Sequence, residues 1–284
     1  LWGAEETGTF VDPAMIEEYY TNGGIADIEK PLTPEEEGLE GYQVRFGPIF
    51  IAPGDEFEYV QIHEIQSEED KEIIKMAGMM HPYSHHWVLR DFDRDFAAPL
   101  GAGPNDATTT NAQAYVYLHA KYMGIWMYSR EMELPEGTAI FQDSSAVMLL
   151  NLHMPNYSQD SICKASCYYN IYTQDAGSGA IEMIADLKQY GNFDPWILQI
   201  PPDGQEHMYS HDYTIANETF YYWNIQGHTH GIGTDFDVFL RNPDGSKGEQ
   251  IYEAFYDPDY NFNTGSYDYS HPPVRSWPEL YEIN

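Results

Sequence analysis

The chain has 284 residues, 42% of them apolar, enough to bury one large core or two of ordinary size. Its 13 Lys and Arg face 46 Asp and Glu, for a formal net charge of −33. That charge excludes nucleic acid as a partner, since phosphate contact needs a basic face, and no apolar run approaches the ~18 residues of a transmembrane helix.

In chain order, residues 1–38 are acidic and rich in Gly and Pro, with little apolar periodicity except near Met15 and Ile16. They are expected to form an arm that packs on later structure or stays free. The chain opens on Leu1, as expected of an N-terminus that has been cut. From Gly41 the texture changes to short strands and turns. Strands are predicted at 42–51, 56–65, 87–89, 114–127, 139–141 and 146–153. Further strands are predicted at 182–185, 196–200, 213–215, 220–225, 236–240 and 250–255. Few segments carry a helical period. Many short strands separated by Gly, Pro, Asn and Asp turns predict an all-β protein of the sandwich or barrel class.

A weak repeat suggests two similar halves. Ala52-Pro53-Gly54-Asp55-Glu56 and Pro202-Asp203-Gly204-Gln205-Glu206 each introduce a strand ahead of a histidine pair. Leu134-Pro135-Glu136-Gly137 stands likewise before a single histidine. The turn-rich stretch 190–194 is the expected boundary. The division is an arm at 1–38, a first domain at 39–190 and a second at 191–284.

Cys163 and Cys167 are close together in a stretch that reads as a loop. A small-loop disulfide there suits an oxidising compartment, so the expected location is secreted, periplasmic or cell-surface. The rival reading is a Cys-x-x-x-Cys metal pair, with no further Cys to complete it. Asn156-Tyr157-Ser158 and Asn217-Glu218-Thr219 match the glycosylation pattern, a match that arises often by chance. His207, Met208 and His211 form a small cluster that reads chiefly as surface.

The chemistry is expected in five of the eleven histidines: His85 and His86, His153, and His228 and His230. Each lies in an apolar, strand-like run, where an imidazolium is costly and a neutral imidazole is a good ligand for copper, zinc or iron. On a regular strand His85 and His86 would point to opposite faces. Sharing a metal needs a bulge or a strand end, which Pro82-Tyr83-Ser84 is placed to provide. His228 and His230, two apart and flanked by Gly227, Gly231 and Gly233, would point the same way from a strand. A lone strand histidine such as His153 is more often a hydrogen-bonded core residue than a ligand. The grouping suggests two metal sites, one per half.

Three motifs together resemble the copper type II, ascorbate-dependent monooxygenases, the family of peptidylglycine α-hydroxylating monooxygenase and dopamine β-monooxygenase. They are Ser84-His85-His86-Trp87-Val88-Leu89, Leu150-Asn151-Leu152-His153, and Gly227-His228-Thr229-His230-Gly231-Ile232-Gly233. Gln43-Val44-Arg45-Phe46-Gly47-Pro48, followed by Pro53-Gly54-Asp55-Glu56, looks like the first strands of bacterial members. The resemblance runs from about Gly41 to the C-terminus. It implies two tandem jelly-roll-like β-sandwich domains with one copper each. His85, His86 and His153 would hold the electron-transfer copper, and His228 and His230 the copper where oxygen binds. It further implies a small-molecule or peptide substrate, dioxygen, and ascorbate or another one-electron donor.

The chain departs from the pattern in three places. The family's oxygen site takes a late Met, and this sequence has none after Met208. The second domain is therefore expected to be incomplete at its C-terminus, or to use His271 or Met208 instead. Gln226 stands where the amidating enzyme has a substrate-gripping Arg, which speaks against a peptidylglycine substrate. The many disulfides of animal members are absent, which points to a bacterial-type relative. The expected function is a copper-dependent monooxygenase. The alternatives are a copper-binding or electron-transfer protein, and a structural β-sandwich whose histidines do no chemistry.

Overall fold

The structure, a computed structural model, describes residues 12–65, 67–94, 105–106, 120–188, 198–214, 219–254 and 271–283. The expected boundary at 190–194, the glycosylation match at Asn217, and parts of the strands predicted at 114–127, 196–200, 213–215 and 250–255 lie outside these residues.

Within the arm, Asp12 caps a helix: its Oδ1 accepts from the Ala14 backbone N–H at 2.9 Å, and Pro13 takes the first helical position. Helix α1 (Pro13–Asn22) ends at Gly23, with φ 81°. The arm is docked. Tyr19 packs edge-on to Phe50 at 5.3 Å, Ile25 bridges to Cys163, and the Asp27 carboxylate accepts from the Ser166 backbone N–H and hydroxyl, both at 2.6 Å.

Two sheets form a β-sandwich. The first runs in the order β1 (Gly41–Ile51), β10 (Cys163–Asp175), β3 (Lys71–Met80), β8 (Thr138–Gln142) and β11 (Ile181–Glu182), with β7 (Arg130–Glu133) also paired to β3. Its pairings are antiparallel except β8 with β11. The second runs β5 (Asn105–Asp106), β2 (Glu56–Glu64), β9 (Ala146–Pro155), β4 (His86–Asp93) and β6 (Ala120–Trp126), antiparallel throughout. Between them lies one core, including Phe46, Ile73, Met76, Trp87, Leu89, Trp126, Leu150, Leu152 and Tyr169. Its centre is aromatic: the Tyr169 ring lies 3.9 Å from Trp87 and 4.5 Å from Trp126. Gly78 gives these rings room, since a Cβ there would come within 2.8 Å of both Trp126 and Tyr169.

Strand alternation then places the chemistry. In β9, Met148, Leu150, Leu152 and Met154 face the core, so Val147, Leu149, Asn151 and His153 face outward. In β4, Trp87 and Leu89 face the core, leaving His86 and Phe92 on the outer side. That outer face is covered as well. Val60, Phe92, Val147 and Leu149 form a second, smaller apolar cluster on it. Strands buried on both sides read as continuous apolar runs.

The later chain forms two ribbons, β12 (Phe220–Gln226) with β15 (Val274–Ile283), and β13 (Asp237–Arg241) with β14 (Lys247–Glu253). Their residues are mostly half-exposed, with Ile251, Tyr252 and Val274 buried. The predicted strand at 182–185 reaches only Glu182, and residues 198–200 and 213–214 are not strand. Among the described residues no helix is long and apolar enough to cross a membrane.

The expected disulfide is overturned. Cys163 and Cys167 lie on β10, not in a loop, and both are free and buried. Four residues of strand separate Cα atoms by ~13 Å, about twice the span a disulfide bridges. The disulfide argument for an oxidising compartment goes with it. The glycosylation match at Asn156 is equally closed. That side chain is buried and donates to the carbonyls of Ile51, Ala52 and Ser161 at 2.9–3.0 Å.

Candidate metal centre

The five histidines expected to split between two sites meet in one cluster. His86 and His153 are directly paired across β4 and β9, and the His85 backbone N–H donates to the His153 carbonyl at 3.0 Å. The turn closed by Ser84 N–H to His81 O, at 2.8 Å, delivers His85 just before β4 begins. His85 thus occupies a strand end, which frees it from strict alternation. His228 and His230 lie beyond the end of β12, on a loop and not on a strand as predicted. Ring centres of the five are 4.7–6.1 Å apart in the pairs that touch. Two triads have ligand atoms within 4.8 Å of one another: His85, His86 and His153; and His85, His228 and His230.

The 226–230 segment is held by first-half residues. Arg130 Nη2 donates to Gln226 Oε1 at 2.6 Å, and Met127 Sδ lies 3.1 Å from His228 Nδ1. With a proton on Nδ1, the thioether accepts it and leaves Nε2 as the metal-facing nitrogen. Gly227 donates its N–H to the Tyr252 hydroxyl at 2.8 Å, and that hydroxyl donates to Pro273 O at 2.8 Å. A Cβ on Gly227 would lie 3.0 Å from Phe236 and 3.1 Å from Tyr252, so only glycine fits without displacement.

Burial first, and neighbouring imidazoles second, push His85, His153, His228 and His230 toward the neutral form. His85 is lowered to about 3 and His228 to about 2; His153 and His230 are lowered for the same two reasons. Neutral imidazole is the form that binds metal. Glu56 and Glu58 of β2 face the cluster. His153 Nε2 lies 3.4 Å from Glu56 Oε2, and His86 Nε2 lies 3.8 Å from Glu58 Oε1. Asn151 Nδ2 donates to Glu58 Oε1 at 3.3 Å. Burial works to raise the Glu58 carboxyl, but the His86 and His153 imidazoles and the Asn151 amide outweigh it and hold it at about 2.

The donor set fits a metal ion. The Nδ1 atoms of His86 and His153 are buried and have no hydrogen-bond partner among the described residues. Buried polar atoms are rarely left so. Each of these rings turns Nε2 to a carboxylate, the arrangement in which an outer carboxylate orients a histidine ligand. The suggested substitutes for a late Met do not join: Met208 is 86% exposed, and His271 stacks near Tyr128 at 5.4 Å, outside both triads. His207 is paired with Asp203 at 2.9 Å, and His211 packs on Tyr213. Sequence reasoning missed Met127, Glu56 and Glu58. The glutamates were legible in principle, since they sit two apart on a strand, but they are lost among 46 acidic residues.

Fold and site together define an all-β protein with a candidate polyhistidine metal centre on the outer face of a sandwich sheet. Compared with known family models and with curated proteins, the chain matches none.

Proposed function

We propose that the five-histidine cluster binds copper and that the protein is a copper-dependent monooxygenase. The observation that carries the metal reading is the convergence of imidazoles from three distant parts of the chain, with the Nδ1 atoms of His86 and His153 buried and without a hydrogen-bond partner among the described residues. The sequence resemblance described above supports copper and hydroxylation in particular. Copper, when bound, supplies reversible one-electron transfer, so that dioxygen, two electrons from an external donor such as ascorbate and two protons convert R–H into R–OH and water.

The chain's own residues supply the rest. Glu56 and Glu58 orient His153 and His86 through their Nε2 atoms. Burial favours the neutral form of His85 and His228. Arg130 and Met127 hold the loop that carries His228 and His230. His230 is exposed while His85 and His86 are buried, so the approach for a substrate is from the side of His230. The substrate class is a small molecule or peptide.

A second reading is a copper-binding or electron-transfer protein. The burial of His85 and His86 favours it, because a closed site passes electrons without admitting substrate. One experiment separates them: copper-loaded protein, ascorbate and a panel of C–H substrates, with oxygen uptake and hydroxylated product measured together. Product formed in step with oxygen supports the monooxygenase. Bound copper with reversible reduction and no product supports electron transfer, and failure to bind copper removes both.

A further inference from the structure

We infer that the two triads form one metal centre with His85 as common ligand, so that they fill in a coupled way and not as two independent sites. This deepens the metal-binding reading above and rests on it.

His85 belongs to both triads, each with its ligand atoms within 4.8 Å. Its ring centre lies 5.2 Å from His86, 5.1 Å from His153, 5.1 Å from His228 and 4.7 Å from His230. The triads also meet away from His85, at 5.2 Å between His86 and His228 and 6.1 Å between His153 and His230. A neutral imidazole has one lone pair in the ring plane to give. Once His85 serves one ion, the other position keeps two imidazoles, or must take the second nitrogen of a deprotonated His85. Two divalent ions held this close also repel, with little water between them to screen the charge. Both effects act against the second ion.

The backbone makes His85 the natural hinge of this arrangement. It precedes β4 and is anchored through its N–H to His153 O, so its ring stands between the sheet-borne pair and the loop-borne pair. His86 and His153 are fixed by strand register, whereas His228 and His230 are brought in by the later chain.

The test uses the whole chain and zinc(II), a redox-silent probe, in competition titrations against a chromophoric chelator, with native mass spectrometry for stoichiometry. The expected result is one tightly bound ion and a second on the order of 100-fold weaker or more, from ligand sharing and charge repulsion. His153→Ala and His230→Ala should each keep a tight one-ion site, because the other triad remains intact. His85→Ala should lose tight binding at both. Two ions of equal, independent affinity in the unaltered chain would overturn the inference without recourse to any variant. So would a His85→Ala chain that is folded and keeps one tight site. No binding of zinc or copper at all would remove the metal-binding reading and this inference together. The coupled pattern supports the inference whether or not the protein hydroxylates anything.

Discussion

His86 and His153 stand opposite one another across β4 and β9, with ring centres 5.2 Å apart, and each turns its Nε2 toward a glutamate of β2. The pair is set by strand register and not by loops, so its geometry should survive metal removal. Replacing Glu58 by Gln should leave the fold intact and weaken metal binding about 10–100-fold, as loss of an outer carboxylate does elsewhere. Chelator competition gives the affinity, and a thermal melt checks the fold. Unchanged affinity would mean that Glu58 does not orient His86.

Met127 tests the other end of the cluster. Met127→Leu conserves volume and should cost less than about 1.5 kcal/mol of stability. It removes the sulfur 3.1 Å from His228 Nδ1. The expected outcome is a near-normal melting temperature with weaker metal binding, recovered in part by Met127→Gln, whose amide oxygen can also accept a hydrogen bond. Equal affinity in Met127→Leu would reduce Met127 to a packing residue.

Gly227→Ala is the converse case, a change beside a ligand and not of one, which should displace His228. The new methyl meets Phe236 and Tyr252, each of which must shift by a few tenths of an ångström. Overpacking of this kind costs about 1–3 kcal/mol. A lowered unfolding midpoint together with weaker metal binding is expected, and an unchanged midpoint would contradict the packing around Gly227.

The metal-free protein should be acid-labile on account of its histidines. In the unfolded chain these groups take up a proton near pH 6.5, whereas in the folded chain His85 is held to about 3 and His228 to about 2. Between those limits the unfolded state binds more protons, so stability falls as pH falls below 6.5. Urea midpoints of the metal-free protein at pH 7.5 and pH 5 should show the drop. The double variant His85→Gln, His228→Gln should flatten it, and a slope as steep as the original would assign the effect to other groups.

The thiols offer a check on the strand geometry. Burial pushes both Cys163 and Cys167 up to about 12. At pH 8 they should stay protonated and react slowly with a thiol reagent, and both should react at once in denaturant. Two reactive thiols without prior reduction would agree with the free pair; a requirement for reductant would restore the disulfide.

Much of this was legible in the sequence, and particular residues show why the rest was not. The strands carrying Trp87 to Leu89, Val147 to His153 and Tyr221 to Ile225 announce themselves by apolar runs between turns. All five clustered histidines could be picked out because each interrupts such a run. β10 was missed since Cys163, Lys164 and Ser166 read as loop until β1 pairs with this stretch and Cys163 and Ser166 are buried. Helix α1 is too short for a periodic signal and is declared only by its Asp12-Pro13 start. The meeting of His85 with His228 is a long-range event, decided by how the later chain lies on the second sheet. No local pattern encodes it, which is why the place of His85 in both triads was not expected.

The contact of Met127 with His228, and of Arg130 with Gln226, has a mechanical side. An ion in the cluster would tie the chain to itself at residues 85–86, 153 and 228–230, points far apart in sequence. It would close two long loops of the unfolded chain, and the entropy lost there would appear as resistance to unfolding. The centre is then a staple as well as a workplace. The later ribbons, which bury few residues of their own, would be the part of the molecule that gains the most from it.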